Sequence, residues 1–104
     1  MTSVSICRLD ELEEGAATRF DVEGARLAVA RIGDDVYCVA DRCSHEDFSL
    51  SEGEVLPAEC EIECARHGAT FDLKTGAAMS LPATKAVATY AVVIRDGLVE
   101  VELP

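Results

Sequence analysis

The sequence is short of basic residues. Nine Lys and Arg stand against twenty Asp and Glu, for a net charge of −11. A phosphate backbone or an anionic membrane would repel such a chain, which argues against nucleic-acid and membrane-surface partners. No apolar run approaches the roughly 20 residues that cross a bilayer as a helix. The first residues, MTSVSICRLDELEEG, hold neither a basic n-region nor an apolar h-region, so no secretory signal is expected and the protein is predicted to be cytoplasmic. An even set of cysteines is lacking too. Five cysteines in a chain without an export signal point away from disulfides and toward metal or redox chemistry.

A long helical period, an internal repeat and a low-complexity segment are also missing. The 104 residues fit one domain, 1–104, with a core modest enough for a metal or cofactor to contribute much of the stability. What is present is strand pattern. Val4–Leu9 alternates weakly. Ala25–Ile32 and Val36–Ala40 flank Gly33-Asp34-Asp35, and Thr89–Arg95 and Leu98–Leu103 flank Asp96-Gly97, the strongest short hairpin signal in the chain. Glu61–Cys64 and Thr70–Leu73 are shorter candidates, and Lys74-Thr75-Gly76 reads as a turn. Asp10–Gly15 is expected to form one helical turn, with Asp10 as N-cap and Gly15 as stop. Many short strands with frequent turns predict an all-β fold, a small antiparallel sandwich or barrel. Residues 41–53 and 64–69 break the alternation and read as two loops projecting from that scaffold.

Histidine is scarcer still. The chain has two, and each stands beside a cysteine at one end of the segment CSHEDFSLSEGEVLPAECEIECARH, from Cys43 to His67. The first pair, Cys43 and His45, is Cys-x-His; the second, Cys64 and His67, is Cys-x-x-His. Within a pair the spacing lets one loop aim both side chains at one site. Spacing alone leaves a tetrahedral Cys2His2 zinc site open.

The wider text resembles the Rieske iron–sulfur family: Cys-x-His, a spacer, Cys-x-x-His-Gly, then Phe71-Asp72-Leu73, Thr75-Gly76 and a proline-bearing Ser80-Leu81-Pro82-Ala83. The resemblance covers most of the chain. It implies a Rieske-like β-sandwich carrying one 2Fe–2S cluster, with Cys43 and Cys64 on one iron, His45 and His67 on the other, and residues of about 79–84 covering the group. Two neutral imidazoles in place of two thiolates make such a cluster less negative, which places its potential between about −150 and +300 mV against roughly −400 mV for all-cysteine plant-type clusters. High-potential relatives carry an extra cysteine in each loop, joined as a disulfide, and hydroxyls near the sulfurs. Here Phe48 and Arg66 occupy the cysteine positions, and Ala69 and Phe71 the hydroxyl positions. Without hydrogen bonds to sulfur, and with the surrounding negative charge, the potential is expected near the low end, on the order of −150 mV. Ala65-Arg66 stands where many relatives have proline and an aromatic, and Asp47 where a glycine is common; neither change removes a ligand.

The resemblance further implies a soluble, monomeric ferredoxin that passes single electrons from a flavin-dependent reductase to a terminal Rieske non-haem iron oxygenase. An oxygenase itself needs a second iron held by further histidines, and both histidines are committed, so the chain is read as an electron carrier and not an enzyme. Readings from other classes are a zinc-stabilised interaction module, an accessory subunit of a larger reductase, or a ferredoxin of iron–sulfur assembly. Cys60 is a possible spare ligand, though a half-buried thiol suits it better, and Cys7 and Cys38 read as packing residues. Between Asp41 and Glu63 lie eight acids and one basic residue, Arg42, an acidic face suited to a basic protein partner. The charge argument predicts that His45→Cys or His67→Cys lowers the midpoint toward the roughly −400 mV of all-cysteine clusters. Redox titration checks this, and an unchanged midpoint after confirmed ligand exchange would contradict it.

Overall fold

The structure is a computed structural model and describes residues 2–42, 49–65, 68–81 and 85–103. Its strands in chain order are β1 (Thr2–Arg8), β2 (Ala17–Val22), β3 (Ala25–Ile32), β4 (Asp35–Ala40), β5 (Glu54–Leu56), β6 (Glu61–Glu63), β7 (Thr70–Asp72), β8 (Thr89–Tyr90), β9 (Val92–Arg95) and β10 (Leu98–Leu103). They form three antiparallel sheets, in the orders β1-β10-β9, β2-β3-β4-β8 and β5-β6-β7. The expected all-β antiparallel architecture is what the chain adopts.

The middle of the molecule is β3, buried on both faces. Leu27 and Val29 pack with Val36, Cys38, Val99 and Val101 against the β1-β10-β9 sheet. Ala28 and Ala30 sit in a second core with Ile62, Cys64, Phe71 and Leu73 of the β5-β6-β7 sheet. The period of two along a strand sends alternate residues to opposite faces, so the run LAVA feeds two cores at once. The second core reaches the candidate site, because Cys64 is one of its members.

Two hairpins rest on backbone that only certain residues tolerate. Asp96-Gly97 joins β9 to β10 with both φ angles positive, 53° and 76°, as a two-residue primed turn requires. Glu23-Gly24 joins β2 to β3 in the same way, at 53° and 81°. The sequence reading passed over this second hairpin, together with β2 itself and β5. The β3–β4 turn is one residue shorter than expected: Asp35 already pairs with Ile32, leaving Gly33-Asp34 as the turn.

Two expectations need correction. Thr89–Arg95 is not one strand. β8 pairs with β4 and β9 with β10, and the chain changes sheet at Ala91, whose carbonyl accepts the Glu102 N–H at 2.9 Å. Asp10–Gly15 is not a helical turn capped by Asp10. A 3-10 turn runs over Leu9–Glu11 instead, with the Arg8 N–H donating to Glu11 Oε1 at 2.8 Å. The Arg31 guanidinium then takes the Leu9 and Leu12 carbonyls at 3.2 and 3.0 Å. The Leu9 carbonyl also accepts the Leu12 N–H at 3.1 Å, which closes the 3-10 turn. Leu12 turns into the core, 3% exposed.

One glycine decides how the site-bearing sheet is assembled. A Cβ at Gly53 would overlap the Glu63 carbonyl oxygen, so the stretch entering β5 lies directly on the last residue of β6. Gly53 has an ordinary φ of −86°, which makes space, and not backbone strain, the reason for glycine. Gly53→Ala is predicted to cost about 1–3 kcal/mol through this overlap, read as an earlier denaturant midpoint. An unchanged midpoint would show that the two segments are free to separate.

Candidate metal centre

The second loop of the motif is the tip of the β6–β7 hairpin. Glu63 pairs with Thr70, and one step further the Cys64 N–H donates to the Ala69 carbonyl at 2.7 Å while the Gly68 N–H donates back to the Cys64 carbonyl at 2.9 Å. Gly68 has φ of +73°, the left-handed conformation that lets the chain return. Strand periodicity sends Cys64 to the same side as Ile62, and both are fully buried. Glu61 and Glu63 alternate with them and remain half-buried.

The first loop is fixed at its two feet. The Asp41 N–H donates to the Arg26 carbonyl at 2.9 Å, and Asp41 Oδ1 accepts the Ser51 N–H at 2.7 Å. One carboxylate therefore joins the chain before the loop to the chain after it. Arg26 also donates to Ser49 Oγ at 3.3 Å. Beyond the loop a 3-10 turn, Leu50–Glu52, places the Leu50 side chain in the same core as Cys64 and Ala69. Through Leu50 and Gly53, the exit of the first loop is packed against the strand that presents the second.

The third segment is anchored to β7. The Met79 N–H donates to the Thr70 carbonyl at 2.8 Å, the Thr70 N–H donates to Ser80 Oγ at 3.0 Å, and the two hydroxyls meet at 3.0 Å. At its base the Asp72 carboxylate accepts the Lys74 and Thr75 N–H groups at 2.7 and 3.0 Å, closing the expected turn. The Val87 N–H donates to the Gly76 carbonyl at 2.8 Å, and a Cβ at Gly76 would overlap the Val87 carbonyl oxygen. Met79 and Leu81 are exposed on this segment, at 52% and 79%.

Of the four candidate ligands, Cys64 is among the described residues. Cys43, His45 and His67 lie outside them, as do Glu46, Asp47, Phe48, Arg66, Pro82 and Ala83. The remaining described cysteines are placed elsewhere. Cys60 sits in the left-handed region, φ 55°, at the far end of β6. Four residues of extended chain put it roughly 13 Å from Cys64, so it is no spare ligand to the same site. It lies beside Tyr37 instead, and this neighbour, followed by burial, raises the Tyr37 hydroxyl above its ordinary value. Burial pushes the Cys38 thiol up to about 12, and burial followed by Glu11 raises Cys7. Both behave as packing residues, as the sequence suggested.

The chemistry of these surroundings suits a sulfur-ligated cluster. The Cys64 thiol lies in an apolar core closed to water, and the adjoining Ala69 and Phe71 are fully buried without a hydroxyl to offer. A model of the Rieske [2Fe-2S] domain matches residues 2–91. The chain belongs to the Rieske [2Fe-2S] family. It is 38% identical, over 104 residues, to the 3-phenylpropionate/cinnamic acid dioxygenase ferredoxin subunit of Escherichia coli (strain K12), covering 100% of this chain and 96% of that protein. Among solved structures it is similar to the ferredoxin of carbazole 1,9a-dioxygenase from Nocardioides aromaticivorans IC177, with a TM-score of 0.94, 39% identity and 97% of each chain covered. It is also similar to a chain in a complex of reduced oxygenase and oxidized ferredoxin in carbazole 1,9a-dioxygenase, with a TM-score of 0.88, 35% identity, and 95% and 91% covered. This is a Rieske ferredoxin with a Rieske-type 2Fe–2S cluster as its cofactor, an electron carrier rather than an enzyme.

The Ser80 hydroxyl is the side-chain tie between the third segment and β7. Ser80→Ala is predicted to lose about 0.5–1.5 kcal/mol and to speed the loss of visible cluster absorbance under an iron chelator. An unchanged bleaching rate would show that this tie does not govern access to the group.

Proposed function

We propose that Cys43, His45, Cys64 and His67 hold the cluster, that the domain spans 1–104, and that the protein works as a cytoplasmic monomer. In this reading it carries electrons from a flavin-dependent reductase to a terminal Rieske non-haem iron oxygenase. The observation that carries the reading is the fully buried Cys64 at the tip of a glycine-closed hairpin, packed in one core with Leu50 from the foot of the other loop. Likeness to dioxygenase ferredoxins over nearly the whole chain supports the choice of partner.

When bound, the group supplies one electron, taken and given reversibly at low potential. The chain's own residues do the rest. Leu50, Ala69 and Phe71 exclude water from the Cys64 side of the site, which leaves few ligand-exchange routes and little solvent reorganisation. Ala69 and Phe71 withhold the hydroxyl donors that would favour the reduced state. In this reading electrons leave to the partner by the edge of the group that His45 and His67 would hold. The acids between Asp41 and Glu63 give that surroundings a negative field, which steers a basic partner at low ionic strength.

No helix among the described residues is long and apolar enough to cross a membrane. Charge reversal of Glu46 and Asp47 to Lys is predicted to slow reduction of the oxygenase at low salt, on the order of tenfold, while the midpoint potential moves far less. Stopped-flow rates with purified reductase and oxygenase check this. Rates that stay unchanged at low salt would remove the acidic docking surface, and failure of the reduced protein to pass electrons to any Rieske oxygenase would remove the proposed partner.

A further inference from the structure

Asp41 is fully buried, and its two oxygens are treated unequally. Oδ1 accepts the Ser51 N–H at 2.7 Å. Oδ2 is buried and makes no hydrogen bond among the described residues; it faces Arg19 Nε at 3.6 Å. Arg19 is itself divided. The same Nε donates to Asp21 Oδ1 at 3.1 Å, its terminal nitrogen reaches Asp21 Oδ2 at 3.4 Å, and its side chain is 44% exposed. A buried carboxylate without full pairing is costly. Closing the first loop does not by itself require a charge, because the amide oxygen of an Asn of the same shape would also accept the Ser51 N–H, in a weaker bond. The charge needs a separate reason.

Position supplies one. Asp41 precedes Cys43 by two residues, so their α-carbons lie within about 7 Å. That is inside a Debye length at physiological salt, and burial removes most of the remaining screening. A fixed negative charge so placed opposes an added electron. Asp21 shares the same arginine but is 63% exposed, where water and salt weaken its field.

We propose that Asp41 is a positioning residue that also tunes the potential: its carboxylate ties the two feet of the first cluster loop, and its incompletely neutralised charge holds the potential low, with Arg19 setting how much of that charge is felt. The proposal rests on the reading of Cys43 as a ligand.

Redox titration of the cluster-loaded Asp41→Asn, Asp21→Asn and Arg19→Gln proteins tests it, after iron content and visible absorbance have confirmed loading. Asp41→Asn is expected to raise the midpoint by a shift on the order of tenfold in the oxidised-to-reduced ratio, about 59 mV for one electron. Asp21→Asn should move it far less, and Arg19→Gln should lower it. A purely structural Asp41 would change stability and leave the midpoint in place. An unmoved midpoint in Asp41→Asn, or equal shifts in Asp41→Asn and Asp21→Asn, overturns the proposal. If Asp41→Asn does not take up the cluster, Arg19→Gln decides: a lowered midpoint sustains the proposal and an unmoved one overturns it. Wild-type protein without iron would remove the cluster reading and the inference with it, an outcome distinct from a loaded protein whose midpoint does not respond.

Discussion

Gly53 lies so close to the Glu63 carbonyl that a methyl group would not fit between them. That contact, with the burial of Leu50 beside Cys64, joins the end of the first loop to the strand that leads into the second. The first loop leaves the scaffold after β4 and returns at Leu50; the second is the tip of β6–β7. Neither could present a shared site if the β5-β6-β7 sheet did not hold the exit of one against the entry of the other. The double-faced β3 serves the same end. Its alanines face the site-bearing sheet and its larger Leu27 and Val29 face away, so one strand supports both cores.

Electrostatics follows from the same packing. The Cys64 side of the site, walled by Leu50, Ala69 and Phe71, has little water to screen charge, so nearby groups act strongly there. Hydroxyl donors are missing from that wall, and a buried carboxylate stands at the foot of the first loop. Both features disfavour the reduced state. A carrier that must pass electrons onward needs a potential low enough to give them up; in the reading proposed above the two imidazoles raise the potential and the surroundings of the group pull it back down.

Much of the fold was legible in the sequence because its signals were local. Asp96-Gly97 and the Gly33 turn announce hairpins by residue type, and the alternation Glu61-Ile62-Glu63-Cys64 announces which side of the strand the cysteine takes. The Cys-His pairs stood out because they used every histidine in the chain. What stayed hidden was non-local. β2 reads as a strand only once Glu23-Gly24 is recognised as a left-handed turn, an unusual task for glutamate. The break at Ala91 exists because two different sheets claim the residues on either side. The 3-10 turn at Leu9–Glu11 is tied to Arg31, about twenty residues later, which reaches back for the Leu9 and Leu12 carbonyls. The roles of Asp41 and Gly53 belong to this class too. Asp41 read as one more surface acid and Gly53 as one more loop glycine until the partners across the fold were in view.

The central claim is that two thiolates and two imidazoles hold one 2Fe–2S cluster. Electron paramagnetic resonance of the purified protein, before and after dithionite reduction, tests it most directly. The account predicts silence in the oxidised state and a rhombic signal with a low average g value on reduction. Silence in both states, with zinc bound in the same sample, would contradict it and make the site a structural metal centre.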